Sequence, residues 1–144
     1  MSVWHKAEID LETLSSLGQG SMAGFLNIEF VGIGDDWLKA RMPVDERTRQ
    51  PFGRLHGGAS VALAETVGSV AGLLCVDGSV SMVVGMEINA NHIRPVKDGY
   101  VYAIASSEAL GRTSQVWTIR IVDEAERLVC LSRITLSVIP LHRA

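Results

Sequence analysis

The spacing of apolar and polar residues predicts the first helices and strands of this chain. In residues 9–18 leucines recur every third position behind Asp10, which predicts a short helix with an aspartate cap. Residues 22–45 follow the pattern of two strands joined by a turn at residues 32–36. The polar segment 46–55 contains proline and glycine, and this composition is typical of a loop.

A long apolar segment and four amphipathic segments follow the loop. The segment HGGASVALAETVGSVAGLL, residues 56–74, predicts one helix that ends near Val76 and carries a single charged residue, Glu65. The alternation then changes to every second residue, which predicts strands in VSMVVGMEINANHI, YVYAIASSEA, SQVWTIRIVD and RLVCLSRITLSVI. In the first of these strands we expect one apolar face formed by Val80, Met82, Val84, Met86, Ile88 and Ala90.

The order of these elements predicts an α+β fold. Consecutive strands favour an antiparallel sheet with helices on one face. Since a helix that is apolar all round must be buried, we expect the sheet to curve around the long helix. The length of 144 residues is sufficient for a real core and favours one domain over residues 1–144.

Composition and charge narrow the class of protein. The net charge is −3 and no cluster of lysine or arginine stands out, which argues against nucleic acid or an anionic membrane as a partner. The two cysteines and the lack of an apolar signal core at the start are typical of a reduced cytoplasmic protein. The segment 56–74 is long enough to span a membrane, but its small residues and the central Glu65 argue against it.

Glu65 is the first candidate for chemistry, because burying a carboxylate without partners is costly. It is either a structural acid, paired with an arginine or bonded to a strand, or a general base or nucleophile. Ser69 lies four residues later, on the same helical face.

The start of the same helix is the second candidate. Glycines at positions 57 and 58 allow a ligand to approach the backbone, although they also suit a plain turn into a helix. The first amides of a helix have no internal partner and attract negative charge, as the oxyanion of an attacked carbonyl requires. Gln50, in the preceding loop, can donate a second hydrogen bond.

The separation of these two candidates predicts an oligomer. Gly57 and Glu65 are eight residues apart, which is about 12 Å along a helix axis. They cannot both touch one carbonyl from the same chain. If both act, Gly57 of one subunit must meet Glu65 of another, with two equivalent sites in a two-fold dimer.

Other chemistries lack support. Gly18, Gly20 and Ala23 match a loose dinucleotide-binding pattern, but a helix rather than a strand precedes them. The four histidines have no metal-ligand spacing, and no nucleophilic serine elbow is present. Cys75 and Cys130 are interpreted as small core residues. The sequence therefore offers carboxylate chemistry or none, and we expect no metal or cofactor.

The segment RTRQPFGRLHGGASVALAETVGS resembles the hotdog-fold acyl-CoA thioesterases. The resemblance runs over residues 11 to 139. Within this family the chain is most similar to the branch that contains the phenylacetate-degradation type, the 4-hydroxybenzoyl-CoA thioesterases with a helical glutamate and the 1,4-dihydroxy-2-naphthoyl-CoA hydrolases of menaquinone synthesis. MPVDERTRQPFG, LHGGASVALAE and GMEINANH are most similar to the menaquinone branch and to relatives that clear mischarged aryl carrier proteins. The resemblance implies a hotdog fold, an antiparallel sheet wrapped around a central helix.

The resemblance also implies roles for five residues. Glu65 matches the catalytic carboxylate, which either activates water or attacks the thioester directly. The Gly57 amide would polarise the thioester carbonyl, and Gln50 and His56 would flank it. Ser69 matches a hydroxyl that positions the water or the carboxylate.

The family's ligand contacts fall on three further segments. These are Gly85, the strand end His92, Ile93, Arg94 and Pro95, and the turn Ala109, Leu110, Gly111, Arg112, Thr113 and Ser114. The alternatives are a core histidine at position 92, a solvated surface charge at position 94 and a plain strand connection at 109–114.

The implied activity is hydrolysis of an aromatic acyl-CoA, such as 1,4-dihydroxy-2-naphthoyl-CoA, to the acid and CoA. We expect a cytoplasmic dimer or dimer of dimers, a homotetramer, with shared active sites. Two alternatives remain: a proofreading hydrolase that acts on misacylated aryl or peptidyl carrier proteins, and a non-catalytic acyl-CoA-binding module with a structural Glu65.

Overall fold

The chain forms a six-stranded antiparallel sheet and one long helix in a computed structural model that describes residues 1–142. The strands are β1 (Glu29–Ile33), β2 (Trp37–Pro43), β3 (Ser81–His92), β4 (Tyr100–Leu110), β5 (Ser114–Val122) and β6 (Leu128–Pro140). The helices are α1 (Leu11–Ser16), α2 (Met22–Phe25) and α3 (Gly57–Leu74). The strand order is β1-β2-β4-β5-β6-β3, and every neighbouring pair is antiparallel. The predicted α+β class is confirmed. The last two residues of the domain predicted over 1–144 lie outside the described residues.

Small residues let α3 lie close against strands β2 to β6. Ala64, Gly68 and Gly72 face the sheet and are buried. A Cβ atom added to Gly68 would lie 2.8 Å from Cγ2 of Ile134, a stiff β-branched side chain of β6. The glycine is therefore required by the distance between helix and sheet.

The opposite face of α3 differs from the expectation of burial all round. Val61, Ala62, Glu65 and Thr66 are only half-buried, because the described chain provides a sheet on one side of the helix alone. By length and composition α3 could cross a membrane. Its position here is that of a core helix, because Leu63, Ala64 and Val67 on the face toward the sheet are fully buried.

The N-terminal helices confirm one prediction and correct two. The Asp10 carboxylate accepts hydrogen bonds from the amides of Glu12 and Thr13, as its capping position predicts. Leu17 is 69% exposed, because α1 ends one residue before it and the leucine stripe is shorter than expected. Helix α2 lies where a strand was expected, and its single turn is too short to give a helical period in the sequence.

Strand β3 does not have the single apolar face that its alternation predicted. The pairing with β6 shifts between Gly85 and Glu87, where one extra residue forms a bulge. A shift of one residue reverses the faces of a strand, so Met82 and Met86 are exposed whereas Ile88 packs on the core. The bulge places Gly85 opposite α3.

A buried polar contact fixes the second half of α3 to strand β5. The side-chain amide of Gln115 donates to the Gly72 carbonyl at 3.3 Å and its oxygen accepts from Trp117 Nε1 at 2.9 Å. The Trp4 ring stacks on Trp117 with centroids 6.0 Å apart, so the N-terminal segment also reaches this core.

Candidate active site

The N-terminus of α3 presents one free amide to a cavity. His56 caps the helix, and its Nδ1 accepts from the Gly58 amide at 2.8 Å. The Gly57 amide donates to no acceptor within residues 1–142. The adjoining cavity of about 370 Å³ is lined by Gln50, Ser60 and His92, among others. This geometry is that of a helix-terminal site for a partly negative oxygen.

Gln50 faces the same cavity with its donor group available. Its side-chain oxygen accepts a hydrogen bond from the Phe52 amide. Since the oxygen has this partner, the NH₂ group remains for a ligand. A carbonyl placed at the Gly57 amide therefore lies near a second candidate donor.

The strand end at residues 92–95 forms the rim of this cavity. The ring of His92 lies against Gly57, so that a Cβ atom added to Gly57 would be 2.9 Å from its Nε2. His92 is exposed, which excludes the alternative of a core histidine. Ile93, Arg94 and Pro95 are exposed and line the cavity. Arg54 also lines the cavity. Nothing in the sequence distinguished it from the other polar residues of its loop.

Glu65 lies further along α3 with Ser69 and Gly85. Its Oε1 is 3.5 Å from the Ser69 hydroxyl. A Cβ atom on Gly85 would collide with the same oxygen and lie 3.4 Å from the carboxyl carbon. Within the described residues Glu65 forms no ion pair. The arginine partner expected for a structural acid at this position is therefore not found there.

A second groove lies beside Glu65. It has a volume of about 350 Å³ and is lined mainly by apolar side chains of α2 and α3, including Met22, Val61 and Ala62. The sequence did not indicate this groove, because α2 was expected to be a strand.

The predicted ligand contacts are divided between opposite ends of the sheet. His92 pairs with Cys130 at the start of β6, whereas the Thr113 carbonyl accepts from the amide of Val138 near its end. Eight residues of strand separate these positions, or about 27 Å. The turn at residues 109–114 is exposed and far from Gly57, so one chain does not bring all predicted site residues together.

The cysteines fit their interpretation as core residues. Burial raises the pKa of the Cys75 thiol to about 11 and also raises that of Cys130. Both thiols are free, and a raised pKa disfavours the thiolate that a nucleophile needs.

Comparison with known proteins identifies the family of this chain. A model of the thioesterase superfamily matches residues 52–130, which contain α3 and strands β3, β4 and β5. The chain belongs to the thioesterase superfamily. This thioesterase is 55% identical over 137 residues to the 1,4-dihydroxy-2-naphthoyl-CoA hydrolase of Escherichia coli K12, covering 95% of this chain and 99% of the relative. It is 50% identical to the proofreading thioesterase EntH of Cronobacter turicensis, over 94% and 98% of the two chains.

Solved structures agree with this assignment. A thioesterase of Haemophilus influenzae has a TM-score of 0.94 and 53% identity, covering 98% of this chain and 97% of that one. A mutant thioesterase of Pseudomonas aeruginosa has a TM-score of 0.95 and 47% identity, covering 97% and 100%. The hotdog fold and the activity of a thioester hydrolase are thereby confirmed.

Proposed function

We propose that this thioesterase hydrolyses an aromatic acyl-CoA to the free acid and CoA in a site shared by two subunits. 1,4-Dihydroxy-2-naphthoyl-CoA, an intermediate of menaquinone synthesis, is the first candidate substrate. It is supported by 55% identity to a hydrolase named for that thioester. The names of this relative and of the solved neighbours, which are hydrolases or thioesterases, argue against the non-catalytic alternative.

The separation of Gly57 and Glu65 carries the proposal of a shared site. Both residues lie in the continuous helix α3, eight positions apart. The corresponding axial distance of about 12 Å is too large for one carbonyl to contact both. A second subunit is the source of a carboxylate for the carbonyl held at Gly57.

The free edge of β3 is a suitable surface for this second subunit. Among residues 1–142, β3 ends the sheet, with β6 on one side only, and exposes Met82 and Met86. Unpaired strand edges and exposed apolar side chains favour association. A two-fold axis beside β3 would reverse the partner, so that the rim at 92–95 of one subunit approaches the turn at 109–114 of the other.

The proposed chemistry uses one carboxylate and two donors. The Gly57 amide and the Gln50 side chain donate to the thioester oxygen and stabilise the negative charge that develops there. The partner's Glu65 either takes a proton from the attacking water or attacks the carbonyl carbon itself. The carbon–sulfur bond then breaks, and the thiolate of CoA takes up a proton, which in the first route is the one that Glu65 removed from water. In the second route water then hydrolyses the anhydride between the acyl group and Glu65, which releases the acid and restores the carboxylate. Ser69 holds the carboxylate in place.

Hydrolysis of a carrier-bound thioester is the second candidate. The 50% identity to a proofreading thioesterase favours it, and the chemistry is unchanged because only the thiol partner differs. The values of kcat/KM on matched acyl-CoA and acyl-carrier substrates decide between the two.

Mixing two impaired variants tests the shared site. Gly57→Pro, which removes the amide donor, and Glu65→Ala should each release thiol from aryl-CoA esters at least about 100-fold more slowly than wild type. Co-expressed in equal amounts, they should restore about a quarter of the wild-type sites, since half of the Gly57 positions and half of the Glu65 positions are intact. Activity that stays at the level of the separate variants in isolated mixed oligomers would contradict a shared site.

A further inference from the structure

Ser60 is a buried residue whose hydroxyl is open to a ligand. It lies three residues after Gly57 on α3, is 2% exposed and lines the cavity next to the Gly57 amide. Its oxygen forms no hydrogen bond within residues 1–142. Within these residues Arg41 Nε is the only fully enclosed side-chain atom without a partner, so the Ser60 hydroxyl is open to the cavity.

Two other helical hydroxyls of this chain bond carbonyls of their own helix. Thr66 donates to the Ala62 carbonyl at 2.7 Å, and Ser15 donates to the Leu11 carbonyl at 3.0 Å. This bond to the residue four positions earlier is the usual solution for serine and threonine in a helix. Ser60 does not use it, and its hydroxyl remains available to an occupant of the cavity.

The polarity of the cavity indicates which part of a substrate reaches Ser60. The charged Arg54 and Arg94 are exposed at the rim, where phosphates of CoA would lie. Ser60 and Val129 are 2% and 3% exposed, so they form the deep wall. A thioester that enters with its CoA outside carries its acyl group inward, and the acyl group is what meets Ser60.

We propose that the Ser60 hydroxyl binds a hydroxyl group on an aromatic acyl chain, next to the thioester carbonyl. The inference rests on the proposed function, in which Gly57 and Gln50 occupy the two lone pairs of the carbonyl oxygen. Ser60 then pairs with the next polar atom of the acyl group. This makes Ser60 a determinant of specificity for hydroxylated over plain aromatic rings.

The test compares 2-hydroxybenzoyl-CoA and benzoyl-CoA on wild type and Ser60→Ala. The variant should lower kcat/KM about five- to tenfold for the hydroxylated ester, the effect of one neutral hydrogen bond. It should leave kcat/KM for the plain ester within about twofold. Differences in intrinsic reactivity between the esters cancel, because each ester is compared between two enzymes.

Ser132→Ala is the matched control. Ser132 is also 2% exposed, but its hydroxyl donates to the Asn89 carbonyl at 2.8 Å. Its loss should lower the melting temperature and leave the preference between the two esters unchanged. Ser60→Ala should melt close to the wild-type temperature, since the hydroxyl forms no hydrogen bond within residues 1–142 that the substitution would remove.

Two results would overturn the inference in different ways. An equal change on both esters, or none, means that the ring hydroxyl lies elsewhere, as in the groove beside Glu65, and leaves the proposed function intact. If wild type hydrolyses neither ester nor any other aryl-CoA, the proposed function fails and the role of Ser60 fails with it.

Discussion

Replacing Gly57 by proline removes one hydrogen atom from the candidate site while respecting the helix. Gly57 is the first residue of α3, the position at which proline is favoured because the N–H has no helical partner. The preceding His56 has φ −68° and ψ 131°, the extended conformation that a residue before proline requires. The substitution therefore deletes the amide donor at a place where the backbone accepts proline.

The expected loss follows from the role of that donor. Removal of one oxyanion donor lowers kcat by about 10²- to 10³-fold, or about 2.7–4 kcal/mol in the activation free energy. The new side chain also touches the ring of His92, since a Cβ atom lies 2.9 Å from Nε2. His92 is exposed and can move, so this contact is a small additional effect.

Gly57→Ala is the control that separates these effects. It adds the same Cβ atom and keeps the amide. Thiol release from an aryl-CoA ester, measured at saturating substrate, gives kcat for both variants, and thermal melting verifies the fold. The ratio of kcat between the alanine and proline variants is the contribution of the N–H, and we expect about 10² or more.

Equal kcat values for the two variants, with equal melting temperatures, would refute the assignment. The carbonyl would then be polarised by some other donor. A proline variant that melts far below the alanine variant would instead contradict the expectation that the first position of α3 accepts proline.

Three further predictions concern other positions. Gly85→Ala should push the Glu65 carboxylate aside and lower kcat about 10- to 100-fold without lowering the melting temperature. Gly68→Ala should reduce the free energy of unfolding by about 1–3 kcal/mol through overpacking, measured in urea, whereas Gly78→Ala, which meets open space, should change it by less than about 0.5. The backbone amide of Arg127, together with its guanidinium, holds the pKa of Asp123 below the usual 3.8, so Asp123 contributes stability above that pH and loses it on acidification. The melting temperature of Asp123→Asn should fall below that of wild type at pH 7, and the gap should close below about pH 4.

Each of these predictions has a result that contradicts it. Full activity of Gly85→Ala would mean that the carboxylate position beside β3 is not the reactive one. Equal stability of Gly68→Ala and Gly78→Ala would show that the helix can move from the sheet at no cost. A stability gap for Asp123→Asn that is independent of pH would assign the effect to packing rather than to charge.

Local patterns determined the features of the fold and of the candidate site that depend on residues close in the sequence. The Asp10 cap depends on residues within one helical turn, and so does the pairing of Glu65 with Ser69. The 18-residue length of α3 and the fixed rise of a helix set the distance from Gly57 to Glu65, whatever the rest of the chain does. The expectation of a second subunit came from this distance alone.

Tertiary structure decided the features that depend on which distant segments meet. The bulge at Gly85 reversed the faces of half of β3, since a strand tolerates one extra residue without any change in its composition. The free hydroxyl of Ser60 and the groove beside α2 arise from the way α3 packs on other elements. Sequence spacing acts within one element, whereas a cavity is formed by several, and only their packing defines its walls.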